Sequence, residues 1–454
     1  MSNTPSKFLT VAAVLCSASL FVGCSATEGL LGGDGKPEEE PTSEVQVEPE
    51  DPTFDTGPYR AEPHSGWPEE ARENVGPIVE TTLIGQNTLL PYEIDEVFAT
   101  GRAPQREESF KVFKIGFADQ IKDDLDQLEP TYLTGYTQMA QTKEKDRRAE
   151  NSVYRFVSPD AAKDAAKVIH EAWLAEGGTN YGDDSTYGLE EVEVPGPEGI
   201  LATKDSEQQV LHVLYPKDEF LYVLYLTNEI FDENFERKEF ADDSLDWAFE
   251  YAGEYVEKQA PLIDALPTHK TPEGFGKTDD WYEVDPDDIL RFTVFAPEGV
   301  QRVGAVPSTM NARMAASIYQ ETPEVLRMFD NAQVEAAAVT ETVLFRASNS
   351  SHADLIQATF RAIDSNIEDA PAPQPYDEPQ GIPGTECYSQ ARGKDTLRFC
   401  YLRYENYFAH ANVMEYARND DAVTTDEQQE EDPEQKLSQI IAAQYEILKH
   451  APTK

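Results

Sequence analysis

Few residues of this 454-residue chain stand at spacings that support chemistry. The clearest is Cys24, in Leu20-Phe21-Val22-Gly23-Cys24-Ser25 at the end of the longest apolar run. A thiol that follows a small residue and an apolar stretch can accept diacylglycerol on sulfur, and cleavage before Cys24 then leaves a lipidated N-terminus. Cys16 would leave with the removed peptide, so Cys387 and Cys400 are the thiols left for redox or metal chemistry. No C-x-x-C and no nearby H-x₃-H completes a zinc set around them. In an oxidising compartment the pair reads as a disulfide.

Other motifs fail on inspection. Gly276-Lys277-Thr278 ends like a phosphate-binding loop, but Thr271 stands where the first glycine is required. Asp285-Pro286-Asp287-Asp288 opens like a calcium loop, yet Leu290 holds the sixth position and Ala296 the twelfth. A helix cap or an acidic turn is the simpler reading. G-x-S-x-G and H-E-x-x-H are absent. The seven histidines are scattered, and His212 and His410 fall in expected strands, as outward-facing or satisfied core residues. Acid pairs such as Asp123-Asp124 and Asp242-Asp243 read as solvated faces and helix starts. The expectation is therefore no catalytic residue, no cofactor and no metal ligand. One aromatic run remains: Tyr388, Tyr401, Tyr404, Tyr407 and Phe408. At strand spacing part of it packs on the core, and the rest is a candidate groove for an apolar or glycan ligand.

The elements around these residues begin with an export signal. Lys7 supplies the basic start, Phe8 to Val22 the apolar core and Gly23 the small residue before the cysteine. The apolar core is shorter than the roughly 20 residues a spanning helix needs. The pattern resembles the bacterial lipobox, with Phe21 where leucine is preferred. These features place the mature chain on the extracytoplasmic face of the cell membrane, held by diacylglyceryl-Cys24. Net charge is −49, from 37 basic and 86 acidic residues. That excludes nucleic acid as a partner and argues against docking on anionic headgroups beyond the anchor. Residues 25–56, with Gly32-Gly33-Asp34-Gly35 and Glu48-Pro49-Glu50-Asp51-Pro52, cannot bury enough apolar surface to fold and read as a disordered acidic tether.

The remainder reads as one α+β unit used twice: residues 57–270 and 285–454, joined by a junction at 271–284. In the first copy the strand Ser152–Val157 runs into Ser158-Pro159-Asp160, an N-cap, a proline at N1 and a first-turn acid. An alanine-rich helix follows and ends at Gly177-Gly178. A hairpin with its turn at Pro216–Glu219 and an acidic helix from about Asp243 to Leu266 complete the copy. In the second copy the order recurs: strand Glu341–Arg346, a capping box at Ser351-x-x-Asp354, a hairpin turning at Arg403–Asn406 and a closing helix from Pro433 to His450. Two antiparallel sheets packed with helices follow from that order. Cys387 and Cys400 lie in the second copy, where their disulfide would staple its hairpin to the preceding strand.

Asp55-Thr56-Gly57-Pro58-Tyr59, Val79-Glu80 and Leu90-Pro91-Tyr92-Glu93-Ile94-Asp95 resemble a family of actinobacterial cell-envelope lipoproteins of unknown function. The likeness continues through Phe156-Val157-Ser158-Pro159-Asp160 and Ile441-Ala442-Ala443-Gln444-Tyr445. The strand, cap and alanine helix ending in Trp173 are similar to extracellular sensor domains of actinobacterial serine/threonine kinases and to PsbP-like sandwich lipoproteins. The resemblance implies an envelope lipoprotein and supplies no catalytic residues, and the leading expectation is that the protein is non-enzymatic. The expected role is binding of a lipid, a glycan or an envelope protein. The alternatives are a scaffolding subunit of an envelope complex and a carboxylate-based hydrolase.

Overall fold

A computed structural model describes residues 54–454 apart from 68, 180–185, 230–237, 242–243, 267–268, 270–279, 298–306, 368–369, 378 and 417–431. Cys24, its signal, nearly all of the 25–56 tether, the Gly276-Lys277-Thr278 motif and most of the 271–284 junction lie outside the described residues. Residues 53–454 form one compact unit.

The chain opens with helix α1 (Glu69–Asn87) and then builds a first sheet from β1 (Thr100–Glu107), β2 (Tyr132–Gln141), β3 (Arg147–Phe156), β4 (Glu190–Glu191), β5 (Leu201–Asp205), β6 (Val210–Lys217) and β7 (Phe220–Asn228). Helix α2 (Pro159–Glu176) follows β3, and α3 (Asp246–Asp264) follows β7. The second half repeats the plan with β8 (Ser308–Met310), α4 (Ala312–Ser317), α5 (Thr322–Asn331), β9 (Val334–Val339), β10 (Val343–Ala347) and α6 (Ser350–Ser365). It ends with β11 (Gln374–Tyr376), β12 (Thr385–Arg392), β13 (Asp395–Tyr404), β14 (Tyr407–Glu415) and α7 (Pro433–Leu448).

The two sheets share one topology. Their orders are β1-β2-β3-β7-β6-β5-β4 and β8-β9-β10-β14-β13-β12-β11, every neighbour antiparallel. The duplication extends to single hydrogen bonds. Phe156 N–H donates to Glu219 C=O at 2.8 Å, and Ala347 N–H donates to Asn406 C=O at 2.9 Å, at the same corner of each half. Both hairpin tips place an acid at positive φ, Asp218 at 51° and Glu405 at 49°.

Each sheet is covered by helices on both faces, because its strands alternate large apolar residues to both sides. In the first half α2 packs with Phe110, Phe113, Ile121 and Leu125 on the face that carries Tyr154 and Phe156. The opposite face carries Val153 and Leu224 against α3 and joins the α4, α5 and α6 side of the second half in one core. The outer face of the second sheet buries Cys387, Cys400 and Leu402 under α7. Helix α1 ties the halves together: Ile84 enters the shared core, whereas Val79 enters the α7 core.

Polar contacts also cross the halves. Arg313 on α4 makes a two-pronged contact with Glu93, at 2.7 and 2.8 Å, and donates to Gln86 C=O at 3.0 Å. Gly101 N–H donates to Gln320 C=O at 2.8 Å. A side chain at Gly101 would put its Cβ 2.3 Å from the Tyr319 carbonyl oxygen, so the approach requires glycine.

Two local expectations need correction, and a third is met. The cap of α6 is Asn349, whose side chain accepts from His352 N–H at 3.0 Å; the helix starts before Ser351, which frees Asp354 for another partner. The first hairpin turns at Asp218-Glu219, and Pro216 lies within β6. Proline is tolerated there because pairing with β5 ends at Leu214, so no ladder donor is needed on that side. Asp285-Pro286-Asp287-Asp288 is a cap: the Asp285 carboxylate accepts from the backbone N–H of Ile289, Leu290 and Arg291 at 2.9–3.0 Å.

Candidate functional site

Part of the aromatic run packs on the core as expected, and the five rings do not share one groove. Strand alternation splits them: Tyr401 and Phe408 face α6 and are buried in the shared core, while Tyr407 faces α7 and is buried there. Tyr404 packs edge-on against Tyr445 of α7, ring centroids 5.7 Å apart. Tyr388 stays half-buried on the α6 side, stacked on Phe399 at 5.5 Å. The disulfide Cys387–Cys400 links directly opposed residues of β12 and β13, Cα atoms 4.2 Å apart, and thus joins the β13–β14 hairpin to its preceding strand.

His212 and His410 are both buried, the first stacked on Trp173 at 4.6 Å and the second set beside Phe360 at 6.0 Å. Burial pushes His212 down to about 4 and lowers His410 as well, so both are neutral core residues at pH 7. Among the described residues no group of three or more His, Cys, Asp or Glu side chains could hold a metal ion.

Tyr388 sits at the rim of a different feature. Between α6 and the ends of β12 and β13 lies a cleft of about 490 Å³, lined in part by Asp354, Gln357, Arg361, Glu386 and Arg403. Asp354, Gln357 and Arg361 share one helix face by their three- and four-residue spacing, and Glu386 and Tyr388 share one strand face by alternation. The cleft holds two ion pairs: Arg361 with Glu386, and Arg403 Nε with Asp354 Oδ1 at 3.0 Å. Tyr388 OH donates to the Glu386 oxygen that Arg361 also contacts, at 3.0 Å. The hydrogen bond that Arg361 itself donates to Glu386 raises its guanidinium above the usual range. Gly384 makes the corner: its φ is 74°, and a Cβ there would stand 2.2 Å from the Arg403 carbonyl oxygen. The cleft thus presents guanidinium donors and carboxylate acceptors in fixed positions, without net charge, beside one aromatic ring.

The duplicated topology supplies a control. Ser158 and Asn349 cap equivalent helices, and Asp218 and Glu405 mark equivalent hairpin tips. Measured from those points, Asp354, Gln357 and Arg361 correspond to Lys163, Ala166 and His170. Through the strand registers Glu386 corresponds to Leu201, Tyr388 to Thr203 and Arg403 to Pro216. Neither ion pair is reproduced in the first half, which folds to the same architecture. Sequence reasoning named Asp354 as a cap and Arg403 as a turn residue, and singled out for binding only Tyr388, beside the cleft. Aligning the two halves on their caps and hairpin tips was the signal that would have exposed the charged positions.

Two buried ionic features belong to the fold. Glu80 of α1 and Arg155 of β3 form a buried ion pair, with Arg155 also 3.5 Å from the Tyr282 hydroxyl. Burial raises the Glu80 carboxyl, and the Arg155 charge opposes the rise. Glu107 is buried without a counter-charge, and burial pushes its carboxyl up to about 8.

Among the described residues no helix is long and apolar enough to cross a membrane. Residues 67–274 match the family model described as Domain of unknown function (DUF7373) N-terminal, and residues 291–419 match the DUF7373 C-terminal model. No curated protein matches the chain. A crystal structure of the extracellular domain of PknH from Mycobacterium tuberculosis is similar at a TM-score of 0.25 and 11% identity, over 39% of this chain and 94% of that one. That likeness is too slight to bear on fold or function.

Proposed function

We propose that this chain, which carries the N-terminal and C-terminal domains of DUF7373, is a lipid-anchored extracytoplasmic binding protein that receives an envelope component in the second-half cleft and catalyses no reaction. The observation that carries the reading is the placement of both cleft ion pairs in one copy of a duplicated unit. The other copy builds the same sheet and helices without them, so the charges are not a requirement of the architecture. Charges that the architecture does not need are available to a ligand.

The anchor reading rests on the spacing of Gly23-Cys24 after the apolar run and on the Cys387–Cys400 disulfide, which suits an oxidising compartment. The non-enzymatic reading rests on the cleft's two carboxylates. Each faces a guanidinium, whereas a carboxyl acid catalyst needs apolar surroundings that keep its proton.

Cell fractionation of a Cys24→Ala variant tests the anchor. The variant should lose its hold on membranes under alkaline washing and keep its signal peptide; if it still matures and still pellets, the anchor is elsewhere. Native mass spectrometry of the full chain extracted from its own membranes tests the binding reading. A co-purifying mass that is absent from an Arg361→Ala, Arg403→Ala variant is the expected result. A mass that persists in the variant, or no mass at all, refutes the cleft.

A further inference from the structure

We infer that the ligand of this cleft is a neutral saccharide, an inference that rests on the binding reading above and narrows it to one chemical class. The charges inside the cleft cancel in pairs, Arg361 against Glu386 and Arg403 against Asp354. An anionic ligand would meet both carboxylates and, beyond them, a chain of net charge −49. A cationic ligand would meet both guanidinia. A sugar hydroxyl donates and accepts at once, so vicinal hydroxyls match a guanidinium N–H on one side and a carboxylate oxygen on the other without leaving either charge unpaired.

The pairs are only partly covered: the side chains of Arg361 and Glu386 are 46% and 37% exposed, and those of Arg403 and Asp354 are 34% and 60% exposed. They remain reachable and little energy is spent in desolvating them. Gln357, buried on the same helix face, adds an amide that both donates and accepts. Tyr388 supplies a half-buried ring whose hydroxyl is already committed to Glu386 and whose face is held by Phe399 on one side. A ring oriented in this way offers an apolar surface to the C–H face of a pyranose. A long acyl chain would find no comparable match, because the cleft lining is polar apart from Ala358 and Gly384, and the Tyr388 ring stands beside it through its bond to Glu386.

The experiment is titration of the purified full chain with three sets of oligosaccharides of equal length: neutral hexose oligomers, uronate oligomers and amino-sugar oligomers, read by calorimetry and by saturation-transfer NMR. The neutral set should bind and transfer saturation from Tyr388, and the two charged sets should bind at least tenfold more weakly, the size of one lost charge-assisted hydrogen bond, about 1.5 kcal/mol or more. Glu386→Gln should raise affinity for the uronate set, and Arg361→Gln for the amino-sugar set, since each leaves one charge unpaired. Those gains of binding need a folded protein and so separate recognition from misfolding. Preference for either charged set by the unaltered chain overturns the saccharide class, as does the absence of binding from all three. A mass of protein or lipid character, bound in the membrane-extracted chain and lost from the Arg361→Ala, Arg403→Ala variant, would overturn the saccharide while leaving the cleft in place.

Discussion

Glu107 gives the chain a pH dependence that can be worked out from its surroundings. The side chain is 1% exposed, set among Tyr132, Tyr154 and Phe113 on the α2 face of the first sheet. Thr137 Oγ1 and Tyr154 OH donate to Oε1 at 2.8 and 3.2 Å, and Oε2 has no partner. Burial raises the carboxyl from 4.5 to about 8, and the two hydrogen bonds oppose part of the rise. In the folded chain Glu107 therefore keeps its proton at pH 7; in the unfolded chain it does not. Between pH 4.5 and about 8 the unfolded state binds fewer protons, so stability falls as pH rises across that window and levels off above it. At about 1.4 kcal/mol per pH unit, the whole window is worth roughly 5 kcal/mol, an upper bound because relaxation around the ionised form reduces it. Glu107→Gln keeps the shape and the Oε1 acceptor and cannot ionise. Urea unfolding of both proteins at half-unit steps from pH 4.5 to 9 should give curves that coincide at the acid end. They should then diverge until the variant is several kcal/mol more stable. Taking the difference removes the contribution of the other acids. Parallel curves over the whole range would show that water or a counter-charge reaches Glu107 and that its burial has been misjudged.

Two further predictions concern the contacts that hold α1 and the seam. Arg155→Ala leaves Glu80 buried without its guanidinium and should cost about 3–5 kcal/mol by calorimetry, whereas Arg155→Met combined with Glu80→Leu should recover most of it; equal losses in both would mean the pair is not the source. Gly101→Val drives a Cβ into the Tyr319 carbonyl, and the loss should be about 1–3 kcal/mol with faster amide exchange along β1. An unchanged melting temperature would show that the halves separate there at no cost.

The sequence was legible where one residue type had one physical use. Ser158-Pro159 at a helix start, alanines at helical spacing and the Asp218 and Glu405 corners carry their reasons locally, and the duplicated strand–helix–hairpin–helix order follows from them. The elements toward the β1 and β8 ends of the two sheets were not legible. Strand β2, Tyr-Leu-Thr-Gly-Tyr-Thr-Gln-Met-Ala-Gln, mixes polar and apolar residues on both faces because α1 and Glu107 meet it with hydrogen bonds as well as packing. Strand β8 has three residues and exists by pairing with β9. The aromatic run was legible only in part for a related reason. Spacing of two assigns residues to faces but does not say whether a face is bare, and α6 and α7 cover both faces of the second sheet.

The same logic explains why the cleft escaped notice. Asp354, Arg361, Glu386 and Arg403 are ordinary surface charges at 27% overall charged content, and each looks like a solvated residue when taken alone. Their meaning depends on α6 lying across β12 and β13, a relation set by tertiary packing. Once that relation is known, the first half shows what α2, β5 and β6 do in the same place with Ala166, Leu201 and Pro216. Two halves with one topology answer to one folding constraint, so positions that differ in kind between them are those the fold leaves free. On that ground the ion pairs, more than the larger aromatic cluster, distinguish recognition from packing: Phe399 and Phe408 fill a core that His212 and Leu221 fill in the other half, and nothing in the first half stands in for Arg361 and Glu386.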